Sequence, residues 1–168
     1  MDLTEAPSSP RADYPTDHLE EPPLDGHPSG LVWATGFVLV LAVVIRFVTV
    51  SALWLDEAQT VAIARLPLGD LAEGLRHDGA PPLFYALLHG WMQIFGEGDL
   101  SVRFLPGVFG VAALPLAWLA GRRLGGRSVA WAAVLLLATS PFAVRYATEA
   151  RMYSLLVLLV LVGYLAVT

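Results

Sequence analysis

Four long apolar stretches, separated by short polar segments, dominate the chain. Positions 31–53 are apolar apart from Arg46 and a few small hydroxyl residues, and they exceed the about 20 helical residues needed to cross a hydrocarbon core. Positions 101–120 make a second stretch, 129–144 a shorter third, and 152–168 a fourth that is still hydrophobic at Thr168. Pro106, Pro115 and Pro141 fall within or at the ends of these segments; neighbouring helices can satisfy the carbonyls that proline frees, so they predict kinks. The expected fold class is therefore all-α, a polytopic integral membrane protein with spans at about 31–53, 101–120, 129–144 and 152–168. The hydrophobic end predicts that this chain is the amino-terminal part of a longer one.

Between the first two spans, positions 54–100 form an outer loop longer than loops usually run without function, and its pattern predicts three short helices. The first covers Ala58 to Leu66. Asp70 followed by Glu73 reads as the start of the second, with Leu68, Leu71, Ala72 and Leu75 as its apolar face. Positions 82–95 make the third, with Tyr85, His89 and Gln93 as a narrow polar stripe. At about 14 residues it is more suited to the membrane surface than to crossing it. This decides the topology. If the segment rests on the surface, the loop bearing Arg122, Arg123 and Arg127 is cytoplasmic, as basic loops prefer, and Asp56 and Glu149 share the outer side. If it spans, those two acids face opposite leaflets. We expect the first arrangement, in the plasma membrane, with a cytoplasmic amino terminus.

Composition agrees with a membrane solvent: 56% of the 168 residues are hydrophobic, with a mean hydropathy of +0.62. The net charge of −5 reflects the opening segment, where Asp2, Glu5, Asp13, Asp17, Glu20, Glu21 and Asp25 face Arg11 alone. That segment, 1–30, is also rich in proline and predicts a disordered cytoplasmic tail ahead of a membrane domain at 31–168. Cysteine is absent, which excludes disulfides, thiolate nucleophiles and zinc knuckles. There is no glycine-rich dinucleotide fingerprint, no phosphate loop and no basic and aromatic pattern for nucleic acid.

The polar residues beside the apolar stretches are the candidates for chemistry. Asp56 and Glu57 follow Trp54 where the first span leaves the hydrocarbon. A fixed carboxylate there can take the proton of an incoming hydroxyl, although two acids at a helix start are also favoured by its dipole. Arg145, Glu149, Arg151 and Tyr153 form a second cluster, whose guanidinium groups suit a phosphate; arginines beside apolar helices also snorkel to headgroups. His77 and Asp78 precede two prolines and, with Tyr85, are expected to border an acceptor site. His89 reads as a hydrogen-bonding histidine without a catalytic role. Arg46 either snorkels outward or meets a lipid phosphate. Asp56 and Glu149 are candidate ligands for a hard divalent cation, which no spacing compels.

Taken in order, Leu53-Trp54-Leu55-Asp56-Glu57, Pro81-Pro82-Leu83-Phe84-Tyr85 and Tyr146-Ala147-Thr148-Glu149-Ala150-Arg151-Met152-Tyr153-Ser154 resemble the GT-C glycosyltransferases of the protein-mannosyltransferase type, also called family 39. The aminoarabinose and Rgt-type galacturonosyl transferases are relatives. Val102-Arg103-Phe104-Leu105-Pro106 and the 121–127 loop share the family's texture. The resemblance implies a membrane enzyme that moves a sugar from a polyprenyl-phosphate donor to an acceptor hydroxyl on the extracytoplasmic face. It implies that Asp56 is the general base, Glu57 its neighbour and Glu149 the second-loop acid. The donor phosphate is expected on Arg151, Arg145 and Tyr153. Many relatives have histidine directly before the two prolines, where this chain has Ala80. The competing reading is a noncatalytic or lipid-transporting membrane protein.

Overall fold

A computed structural model describes residues 29–48, 52–76 and 80–168, and all regular structure among them is helical. His77, Asp78 and most of the acidic segment lie outside the described residues. Helix α1 is Ser29–Ile45, α2 is Leu55–Ala64, α3 is Leu71–Leu75 and α4 is Pro82–Phe95. A long α5, Asp99–Thr139, precedes α6, Pro141–Ala147, and α7, Tyr153–Val167.

α5 is two helices in a hairpin. Gly125 and Gly126 depart from helical geometry, and Gly126 has φ +76, a conformation a side chain resists. The first leg, 99–124, is about 39 Å long and the second, 127–139, about 20 Å at 1.5 Å per residue. Gly121 lets the legs close: a Cβ there would lie 2.7 Å from the Ala130 Cα. The two apolar segments at 101–120 and 129–144 thus join through the loop expected at 121–127, but the second leg stops at Thr139, before position 144. Pro141 has no N–H to continue the ladder, and the Ser140 hydroxyl accepts from Ala143 N at 3.4 Å to start α6.

The first apolar segment also divides sooner than expected, since α1 closes at Ile45 and Arg46 and Phe47 form a turn. Arg46 neither snorkels nor reaches a headgroup. It is 1% exposed, and its guanidinium donates to Ala42 O, to Ala138 O at 3.1 Å and to Leu137 O at 2.9 Å. Leu137 is the carbonyl that Pro141 cannot serve, so the cation completes a helix end where the dipole is negative. Ala42, Leu114 and Ala138 pack beside it as a small core.

The larger core joins α2, α3 and α4 to the start of α5 and to Leu155 of α7. α4 buries Phe84, Tyr85, Leu88 and Met92 at helical spacing and leaves Leu83, Leu87 and Ile94 exposed. Its polar stripe therefore turns partly inward: His89 Nδ1 meets Ala64 O at 2.8 Å, capping the end of α2. At the far end of the hairpin, Arg123 donates to Leu165 O and, at 3.1 Å, to the Thr168 hydroxyl, closing α7. The molecule thus has one end carrying α2, α3, α4 and α6, and an opposite end carrying the Gly125-Gly126 turn with its arginines. Among the described residues, Asp99–Thr139 is the helix long and apolar enough by length and composition to cross a membrane, while α1 and α7 are apolar but shorter.

Candidate functional site

α2 begins where Trp54, in extended geometry at φ −70 and ψ 161, delivers Leu55 and Asp56 into the first turn. Glu57 reaches back to accept from Trp54 N at 3.0 Å, the reciprocal half of a capping box. This leaves successive acids with opposite fates. Glu57 turns inward to 1% exposure, while Asp56 stays exposed at the positive end of the helix.

The Glu57 carboxylate is fully occupied. Oε1 accepts from Arg103 Nε and from Ala150 N, each at 2.8 Å, and Oε2 accepts from Arg103 Nη2 at 2.5 Å besides Trp54 N. Arg103, 4% exposed, also donates to Ala52 O at 3.0 Å. Burial pushes the Glu57 carboxyl up, but hydrogen bonds from Arg103 and from the Ala150 and Trp54 amides more than offset it and hold the group below the usual carboxylate range. A carboxylate so engaged has no lone pair left for an acceptor proton. Glu57 therefore ties α2, α5 and the 148–152 bend together.

That tie brings the second cluster onto the first. Asp56, Glu57, Arg145, Glu149, Arg151 and Tyr153 line one cavity of about 260 Å³, together with Trp54, Leu55 and Tyr146. Arg151 Nη1 approaches the Asp56 carbonyl at 3.4 Å and the Thr60 hydroxyl at 3.3 Å, and that hydroxyl donates to the same carbonyl at 2.8 Å. Arg145 Nε pairs with Glu149 Oε1 at 2.8 Å, from the last turn of α6 to the bend that follows it. Asp56 is exposed and lines the cavity, and its carboxylate makes no hydrogen bond or ion pair among the described residues. Chemically, the arrangement offers an open base beside two guanidinium groups, one of them balanced by Glu149.

One expected position lies outside the cavity. Tyr85 is fully buried in the α2–α3–α4 core, because it falls on the face that α4 turns toward α2. His77 and Asp78 lie outside the described residues. Among the described residues no group of three or more histidines and acids gathers to hold a metal ion.

Arg103 and Tyr146 are the site residues that sequence reasoning left without a role. A charge inside an apolar run demands a partner, and that signal pointed to Arg103; Tyr146 carries no such signal. The sequence profile of the dolichyl-phosphate-mannose-protein mannosyltransferases matches residues 79–168, which include Arg103 and the whole second cluster. No curated protein and no solved structure matches the chain.

Proposed function

The chain belongs to the dolichyl-phosphate-mannose-protein mannosyltransferase family, membrane glycosyltransferases of the GT-C type, and from that premise we propose that it transfers a sugar from a polyprenyl-phosphate donor to an acceptor hydroxyl at the Asp56 cavity. The observation that carries the reading is the meeting of an unclaimed carboxylate, Asp56, with Arg151 and Arg145 in one small cavity.

The chemistry follows from those groups. The acceptor hydroxyl gives its proton to the Asp56 carboxylate as its oxygen bonds to the anomeric carbon. The bond from that carbon to the phosphate oxygen breaks, and the lipid phosphate leaves with the electron pair. Arg151 and Arg145 hold the charge that develops on it. A phosphate is already a good leaving group, so one base suffices and no acid is required. Glu57 and Arg103 act on none of these atoms; they hold Asp56 and the 148–152 bend in register.

The cavity lies at the end of the molecule opposite Arg122, Arg123 and Arg127. With that basic turn in the cytoplasm, α1, the first leg of α5, the second leg continued by α6, and α7 cross the membrane, α4 rests its exposed Leu83, Leu87 and Ile94 on hydrocarbon, and the cavity opens on the extracytoplasmic face of the plasma membrane.

Asp56→Asn in the full-length protein tests the reading. Membrane insertion and donor binding stay normal, while sugar transfer falls by at least the roughly 100-fold that loss of a general base costs. Undiminished turnover in that variant rejects Asp56 as the base.

A further inference from the structure

The cavity contains more than a phosphate requires. Besides its cations and acids it has three aromatic side chains, Trp54, Tyr146 and Tyr153, and the tyrosine rings lie 4.5 Å apart at 40°. Tyr146 sits on α6 and Tyr153 opens α7, so the contact spans the bend that carries Glu149 and Arg151. Packing alone does not account for the pair. Ala147 and Ala150, in the chain between them, are completely buried, whereas both tyrosines remain partly exposed and line open space.

Size limits what can enter. About 260 Å³ is below the roughly 300–1,000 Å³ of pockets that enclose drug-sized ligands, so a polyprenyl chain stays outside and only a head group fits. A bare phosphate would use the guanidinium groups and leave the rings idle. A sugar phosphate uses both, because a pyranose presents a face of weakly positive C–H groups and an aromatic face is negative.

We propose that the Tyr146–Tyr153 pair is the sugar-recognition wall of the cavity, receiving the C–H face of the donor's sugar while Arg151 receives its phosphate. The inference rests on the transferase reading and adds the residues that distinguish a glycosylated carrier from the bare one. Contact between the two rings fixes their orientation before the donor arrives, so little side-chain freedom is lost on binding.

The test compares two ligands, a short-chain polyprenyl phosphate and its mannosyl ester, binding to the full-length protein in lipid nanodiscs. Tyr146→Leu is expected to weaken the mannosyl ester by roughly 3- to 10-fold, the range of one aromatic contact, and to leave the bare phosphate within about twofold. Tyr153→Leu does the same from the other side of the pair, and decides the matter if Tyr146→Leu does not fold. Tyr146→Phe keeps the ring and the selectivity. Equal losses for both lipids, or no loss for either, overturn the wall while leaving the transferase reading intact. A wild-type protein that binds neither lipid overturns both.

Discussion

Adjacent carboxylates at 56 and 57 read alike in the sequence and differ completely in the fold. One is a buried ion-pair partner with a full set of donors, and the other is open to the cavity. Removing the buried one strands Arg103, so Glu57→Gln is expected to cost about 3–5 kcal/mol of stability, the usual penalty for breaking a buried pair. Thermal unfolding in detergent measures it. The depressed Glu57 carboxyl also sets a pH limit. Its contribution is complete above the ordinary glutamate value of about 4.3 and is lost as pH falls from there through the lower folded value. Wild type should therefore lose stability below about pH 4.3, and Glu57→Gln should lack that component. The acids and arginines of the cavity were legible from the sequence because charge beside a membrane span needs a reason. Which acid turns inward was not legible, since it depends on Arg103 and Ala150, which are 46 and 93 residues away.

At the scale of elements, hydropathy located the helices well and their ends poorly. The three short helices between positions 54 and 100, the hairpin and α7 appear where the pattern put them. The ends of α1 and of the second α5 leg differ, because apolar composition continues past both while hydrogen bonding does not. Arg46 and Pro141 mark the two stops, and they are coupled through the Leu137 carbonyl. Arg46→Leu leaves that carbonyl and Ala138 O without their donor in a buried place, which should cost about 1–3 kcal/mol, seen as a lower thermal unfolding midpoint in detergent. Gly126→Val strains the positive-φ turn and should loosen the hairpin by about 1–2 kcal/mol per strained residue. Helix α4 shows the limit of a one-dimensional stripe. Tyr85 and His89 mark its inward side because α2 offers them a core and a free carbonyl, and nothing in the 82–95 pattern announces that neighbour.

For the whole molecule the sequence posed an alternative that hung on a single helix, and the packing of α4 against α2, α3 and the start of α5 is the arrangement that leaves Asp56 and Glu149 together. Sidedness in a bilayer is then an experimental matter, and the natural absence of cysteine makes it direct. Single cysteines at Gly98, Thr148 and Gly126 should react with a membrane-impermeant thiol reagent from outside at the first two positions, and at Gly126 only after permeabilisation. Reaction of Gly98 and Thr148 from opposite sides would rule out the shared cavity.

The knot at Glu57 also imposes an order of assembly. Residue 57 emerges from the ribosome long before Ala150, so throughout that interval its carboxylate lacks one of the amides it ends with. The segment around Glu57 can settle only after the α5 hairpin has formed and α6 and the bend after it have come to lie beside α2. Nascent chains halted before α6 should therefore show an open, protease-sensitive α2, and chains halted after α7 a protected one. Completion of the cavity is in this sense a late event of biogenesis, withheld until the last contributor to the Glu57 carboxylate's shell has arrived.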